Sequence, residues 1–218
     1  MSTSLDLKSI ERKAFRSTHQ DGLLDINIGG IVLCMSFLAY TMDDEVSTLF
    51  RFGVYLAGAV FFYLIFWAGK KYLTTPRLGQ VKFGPQRQKR KLTMVFVLSG
   101  IVLMQLLIFA GTMLLWQNPH WAASLGFTGS DPDRERLLVA TLGALFVGPS
   151  MVILAYFNDF VRGYYIASIL SLAVFSLIWF GETVYLVVAS LLIMIPGLVL
   201  FIRFMRQHPL PPVEAKNG

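Results

Sequence analysis

The chain has 218 residues, of which 55% are apolar and only 15% are charged, and its formal net charge is +6. A soluble domain of this length carries more charge and less apolar side chain, so the composition argues against a soluble globular protein. We therefore expect a protein of the membrane, and the basic excess directs attention to where its Lys and Arg residues lie.

A basic segment precedes the first apolar stretch. Leu7, Ile10 and Ala14 recur at helical spacing, and the basic residues Lys8, Arg12, Lys13 and Arg16 flank them. Within residues 1–22 this pattern predicts a cytoplasmic, interfacial amphipathic helix that lies on the inner leaflet. A solvated basic tail that only orients the protein is the alternative. Acidic residues within the segment and the lack of a small-residue cleavage site argue against a cleaved signal.

Six apolar stretches follow, and each is long enough to cross a hydrocarbon core of about 30 Å as a helix. None alternates with a period of two, which favours helices over membrane strands. The stretches cover residues 23–42, 52–69, 92–116, 137–157, 163–180 and 183–201. The sequence thus predicts an all-α integral membrane protein with a six-helix transmembrane domain over 23–202 and a tail over 203–218.

Most of the 19 Lys and Arg residues lie at the two termini and on alternate connections between the stretches. The connection over residues 70–91 is the most basic, whereas the opposite side holds only Arg51, Arg134 and Arg136. Since cytoplasmic loops are enriched in Lys and Arg, we expect both termini and the 70–91 connection in the cytoplasm. The membrane would then be the plasma (inner) membrane of a prokaryote.

The 70–91 connection is also the richest stretch outside the membrane. Pro76 and Gly79 predict a turn within it, and residues 81–83 suit a short extended piece. Basic groups near lipid headgroups attract anionic lipid by about 1 kcal/mol each. The candidate residues for binding lipid or a partner are Arg77, Lys82, Arg87, Lys89, Arg90 and Lys91. A purely topological role is the alternative, and nucleic acid is not an expected partner of so short a tethered loop.

Three segments carry a resemblance. They are IERKAFR at 10–16, QDGL at 20–23 and PRLGQVKF at 76–83, within a longer PRLGQVKFGPQR run. Together they resemble a family of uncharacterised prokaryotic multi-span membrane proteins that share such segments. The resemblance covers mainly the N-terminal half and implies no activity.

Polar residues within the spans are few. Asp25 lies about one helical turn into the first span, with Asn27 close by. It either bonds a basic residue of the neighbouring connection or serves as a proton or cation ligand at the cytoplasmic mouth. Ser150 follows Pro149 in the fourth span, and Pro196 lies in the sixth, so both spans are expected to kink. Asp25, Asn27 and Ser150 are the candidate intramembrane polar site.

No pattern indicates an enzyme. Cys34 is the single cysteine and can form no internal disulfide, so a buried structural thiol is expected. The chain has no Gly-rich phosphate loop, no paired membrane histidines for haem and no convergent metal ligands. We expect neither a cofactor nor a metal.

The two halves of the chain resemble each other. FLAY at 37–40, followed by Asp43, matches ILAY at 153–156, followed by Asp159. Further matches occur in the same order, and they pair 51–55 with 162–165, 64–69 with 177–181, and 93–100 with 183–190. With three spans in each half, the second copy would be inverted in the membrane, a 3+3 inverted repeat. Chance similarity among apolar helices is the alternative.

Two functions remain open. One is a small transporter or channel-like protein with a site between inverted halves, expected to form a homo-oligomer because six short helices enclose little space. The other is a non-catalytic membrane scaffold or subunit that binds anionic lipid or a cytoplasmic protein through its basic connection. The half-to-half similarity favours the first, and the lack of charge in the middle of the spans favours the second for polar substrates.

Overall fold

The computed structural model describes residues 20–40, 47–78, 85–118, 120 and 132–209. Residues 1–19 of the predicted N-terminal segment, the connecting residues 41–46, 79–84, 119 and 121–131, which include Lys82, and residues 210–218 lie outside this description. The first residues of the predicted C-terminal tail, 203–207, belong to the last helix, so the tail begins later than predicted. In the described part of the chain the secondary structure is helical.

Within these described residues, six helices are long and apolar enough to cross a membrane. They are α1 (Leu23–Tyr40), α2 (Thr48–Ala68), α3 (Pro85–Gln117), α4 (Pro132–Phe157), α5 (Arg162–Phe180) and α6 (Val184–Gln207). The predicted class of six apolar helices is confirmed, and it is compatible with a multi-pass membrane protein. The placement of the termini and the repeat stay predictions.

The helices at the basic connection run further than the apolar stretches. The helical path of α2 continues through a π-helical turn, Gly69–Thr74, and a short helix, Thr75–Leu78. Helix α3 has 33 residues, or about 50 Å, against a hydrocarbon core of about 30 Å. Much of 70–91 is therefore helical, because Lys, Arg and Gln sustain a helix beyond the apolar stretch.

The turn predicted at Pro76 is wrong. Pro76 is the second residue of the short helix Thr75–Leu78. The helical path therefore runs through Pro76, which removes one backbone donor, and the π-helical turn Gly69–Thr74 directly precedes the short helix. The extended piece predicted over 81–83 lies outside the described residues.

The chain divides into two compact units, and unit 1 combines Met1–Phe83 with Thr183–Gly218. Its described helices are α1, α2 and α6, and α1 packs against both of the others. Glycines let α1 and α6 approach closely: a Cβ on Gly197 would lie 2.7 Å from the Cβ of Asp25 and 3.0 Å from the backbone nitrogen of Ile26. Small residues at such crossings allow backbone contact, which drives helix association in lipid.

Unit 2 comprises Gly84–Glu182 and contains α3, α4 and α5. Helix α4 packs against α5 and α3. A Cβ on Gly163 would lie 2.6 Å from the Cβ of Ala155, so α4 and α5 also meet through small residues. Gly181 ends α5 in the left-handed region, with φ of 78°, and its N–H donates to the carbonyl of Leu177.

Candidate functional site

A buried ion pair closes the start of α1. The side chain of Asp21 is fully buried, and its Oδ2 accepts hydrogen bonds from Lys70 Nζ and Thr74 Oγ1, each at 2.7 Å. Its Oδ1 accepts from the backbone N–H of Leu23 at 3.3 Å, which caps the first turn of α1. The start of α1 is thereby tied to the end of α2 within unit 1.

These donors lie in the π-helical turn that follows α2. The N–H of Thr75 donates to the carbonyl of Lys70, five residues earlier, as in a π-helix. The hydroxyl of Thr75 donates to the same carbonyl at 2.7 Å. Lys70 and Thr74 are four residues apart and share the side of the turn that faces Asp21.

Asp25 lies one turn further along α1 and is 3% exposed, with its Cβ against the position of Gly197. Asp21, four residues before Asp25, is a carboxylate that pairs with Lys70 of the 70–91 connection. Asn27 is half-buried, and its Oδ1 makes no hydrogen bond within the described residues.

The side chain of Arg77, from the short helix Thr75–Leu78, contacts the C-terminal end of α6. Its Nη1 donates to the carbonyls of Met205 and His208, at 3.0 and 2.9 Å. These carbonyls belong to the last turn, where a helix lacks intrahelical donors and carries partial negative charge. The guanidinium of Arg77 therefore stabilises a helix end inside unit 1.

Arg90 makes the equivalent contact in unit 2. Its Nη2 donates to the carbonyl of Tyr156 at 2.8 Å, and its Nη1 donates to Asp159 Oδ2 at 3.2 Å. Its guanidinium also lies 5.5 Å from the centroid of the Tyr156 ring. The side chain of Asp159 is thus paired and nearly buried.

The six candidate residues of the basic connection thus separate by environment. Arg77 and Arg90 hold helix ends, whereas Lys89 and Lys91 are exposed at the start of α3. Lys82 and the side chain of Arg87 lie outside the described residues. The structure leaves Lys89 and Lys91 as the accessible members of the described set.

A second polar cluster surrounds Pro149 in α4. Ser150 Oγ donates to the carbonyl of Phe146 at 2.6 Å and accepts from Gln105 Nε2 at 3.1 Å. Gln105 Nε2 also donates to the Phe146 carbonyl at 3.0 Å. From α5, Ser171 Oγ donates to the carbonyl of Ala144 at 3.0 Å.

The cluster lies beside a missing backbone hydrogen bond of α4. Pro149 has no N–H, so the carbonyl of Leu145, four residues earlier, loses its helical donor. Within unit 2, side chains of α3, α4 and α5 donate to the neighbouring carbonyls of Ala144 and Phe146. Polar side chains of three helices therefore meet at the position where α4 lacks a backbone donor.

The sequence contains signals for the residues that were missed. Asp21 stands directly before Gly22 and an apolar run, which is an N-cap signature. Gln105 is an amide in the middle of the third apolar stretch, and an amide at that depth indicates a hydrogen bond to a neighbouring helix. Ser171 has no distinguishing signal, since hydroxyls occur throughout the spans.

Among the described residues, no three His, Cys, Asp or Glu side chains come together as metal ligands would. Cys34 is half-buried, and its Sγ lies 2.5 Å from where a Cβ on Gly58 would be, so it fills the crossing of α1 and α2. Compared with models of protein families, with curated proteins and with solved structures, the chain matches none.

Proposed function

We propose that the chain is a small membrane transporter built from two inverted three-helix repeats, in the plasma membrane of a prokaryote with both termini in the cytoplasm. The observation that carries this proposal is the helix content of the two compact units. The half-to-half similarity pairs α1 with α4, α2 with α5, and α3 with α6.

The helix content of the two units fits this pairing if the third helices, α3 and α6, are exchanged between the repeats. Unit 1 contains α1, α2 and α6, and replacing each helix by its counterpart gives α4, α5 and α3, which is the content of unit 2. In each unit, the first helix of one repeat packs against its own second helix and against the third helix of the other repeat. This correspondence supports duplication over chance similarity, and inverted repeats are the common architecture of secondary transporters.

The polar cluster at Pro149 supports an uncharged polar solute. Its side chains, Gln105, Ser150 and Ser171, offer amide and hydroxyl groups without charge. Broken or proline-containing helices at membrane depth have backbone carbonyls that lack a helical donor. A polar solute can donate hydrogen bonds to such carbonyls. We place the solute route along this face of α4 in unit 2.

The scaffold alternative rests on Lys89 and Lys91, which are exposed at the start of α3. Two of the arginines that the same hypothesis needs, Arg77 and Arg90, already donate to carbonyls within their own units. Docking through the whole basic connection is therefore the less favoured function.

Water access at the proline kink tests the transport proposal. Cys34→Ala removes the single cysteine, and Ser150→Cys then places one thiol at the kink. A cationic methanethiosulfonate reagent, which reacts only in water, should label Ser150→Cys in reconstituted vesicles. Val161→Cys, in the exposed connection before α5, is the positive control, and Val152→Cys, exposed on the same helix, is the lipid-facing control.

The outcome separates the two functions. Labelling of Ser150→Cys well above Val152→Cys supports a water-filled route beside Pro149. If Ser150→Cys reacts no faster than Val152→Cys while Val161→Cys reacts fully, the kink is packed in a dry core and the transport proposal is wrong.

A further inference from the structure

The end of α2 carries an exposed group of two aromatic rings and an ammonium, which we call the aromatic corner: Trp67, Lys71 and Tyr72. Lys71 Nζ lies 4.7 Å from the centroid of the Trp67 ring and 5.3 Å from that of Tyr72. The rings are perpendicular, with centroids 6.4 Å apart. Trp67 is 47% and Tyr72 61% exposed, so the corner is open to its surroundings.

The π-helical turn separates two adjacent lysines. Lys70 is directed to Asp21, where its charge is neutralised by a buried carboxylate. Lys71 is exposed, and no carboxylate of the described residues pairs with it in an ion pair. The corner therefore presents the positive charge of Lys71 between two rings that also carry hydrogen-bond donors, the indole N–H and the phenol O–H.

Helix length places this corner at the border of the hydrocarbon. Helix α2 has 21 residues from Thr48 to Ala68, or about 31 Å, which matches a hydrocarbon core of about 30 Å. The π-helical turn comes directly after this length, at the depth of the headgroups. Trp and Tyr favour that depth because one part of each ring system is apolar and the other is polar.

We propose that Trp67, Lys71 and Tyr72 bind the headgroup of an anionic phospholipid. The ammonium of Lys71 pairs with the phosphate, while the indole N–H and the phenol O–H donate to its oxygens. The rings hold the ammonium in place by cation–π contact, so little side-chain freedom is lost when the lipid binds. This site is independent of the transport route and of the six basic residues considered above.

Native mass spectrometry of the full chain in detergent, with added phosphatidylglycerol or phosphatidylcholine, tests the proposal. Lys71→Gln should lower the retention of phosphatidylglycerol about fivefold, as expected for one basic residue at the headgroup surface. Retention of phosphatidylcholine should stay unchanged. Lys71→Arg keeps the charge over the rings and should retain the anionic lipid.

Arg206→Gln is the matched control, because it removes the same charge from an exposed residue of unit 1. Arg206 lies in α6, two residues after the buried Phe204. It should lower phosphatidylglycerol retention far less than Lys71→Gln. Trp67→Leu should lower the retention even though the charge remains. The proposal is wrong if Lys71→Gln binds phosphatidylglycerol like the unaltered chain or like Arg206→Gln, or if Trp67→Leu has no effect.

Discussion

The carboxylate of Asp21 has no exposed surface, and three hydrogen-bond donors stabilise it in its buried position. Lys70 and Thr74 bind one oxygen, and the N–H of Leu23 binds the other. A buried charge without such partners costs several kcal/mol, so removing one partner costs more than removing the whole pair. The ion pair with Lys70 and the hydrogen bond from Thr74 therefore connect the start of α1 to the turn that follows α2.

A double-mutant cycle measures that dependence. Lys70→Met leaves the Asp21 carboxylate buried without its cation, and we expect a loss of about 3 kcal/mol in the free energy of unfolding. Asp21→Asn together with Lys70→Met removes both charges and should lose less than the two single changes added together. Lys71→Met, the adjacent and exposed lysine, is the control and should change stability by under about 0.5 kcal/mol. Thermal unfolding in detergent reports all four variants, and a Lys70→Met midpoint equal to that of Lys71→Met would contradict the pairing.

A carboxylate inside an apolar run, such as Asp25, is conspicuous in the sequence, whereas Asp21, directly before the run, has the pattern of a turn. Its partner Lys70 lies 49 residues away in the chain. No sequence pattern links positions so far apart, so this pairing could not be predicted. Ser150, by contrast, was found because proline marks its position, although its partners Gln105 and Ser171 were not.

At the scale of the element, the crossing of α1 and α6 depends on the absence of side chains. A Cβ on Gly22 would lie 2.2 Å from the carbonyl oxygen of Gly197, and Gly22 has φ of 77°, which favours glycine. A Cβ on Gly29 would lie 2.9 Å from the Cβ of Met194. The backbones of the first and last helices therefore touch at two levels.

Gly197→Ala should separate this crossing. The added methyl would meet backbone atoms, which cannot rotate away, so we expect a loss of about 2 kcal/mol in stability. Gly53→Ala in α2 is the matched control, since nothing lies within 4 Å of its added Cβ. Alanine also favours the helix at that position. Thermal stability by size-exclusion chromatography should fall for Gly197→Ala and not for Gly53→Ala, and equal behaviour would show that α1 and α6 do not meet at Gly197.

Helix existence and helix ends differed in how well the sequence predicted them. The lengths of the apolar stretches predicted all six helices, because a helix needs about 20 apolar residues to span a hydrocarbon core. The ends at Thr48, Pro85 and Gln207 lie in polar sequence, where hydropathy carries no information and helix propensity and capping decide. For the same reason, the sequence shows the charges of Arg77 and Arg90 but not the helix ends that they bind.

At the scale of the whole molecule, the proposed transporter depends on how the two halves of the chain are related. Matching segments predict a repeat, and the proposal of inverted halves rests on them together with the helix content of the two units. The packing of α1 against α6 could not be predicted, because apolar patterning does not specify which helix another helix contacts. In lipid such choices are decided by small-residue contacts, here those of Gly22, Gly29 and Gly197 with their neighbours.

Inversion of the repeats is the central claim, and sided labelling tests it most directly. The connections after α1 and after α4 are equivalent in the repeat, so inversion places them on opposite sides of the membrane. In the Cys34→Ala background, a membrane-impermeant maleimide should label Ser47→Cys in intact cells. Val161→Cys, also exposed, should be labelled only after the cells are permeabilised. Labelling of both thiols from the same side would contradict the inverted repeat and the transporter built on it.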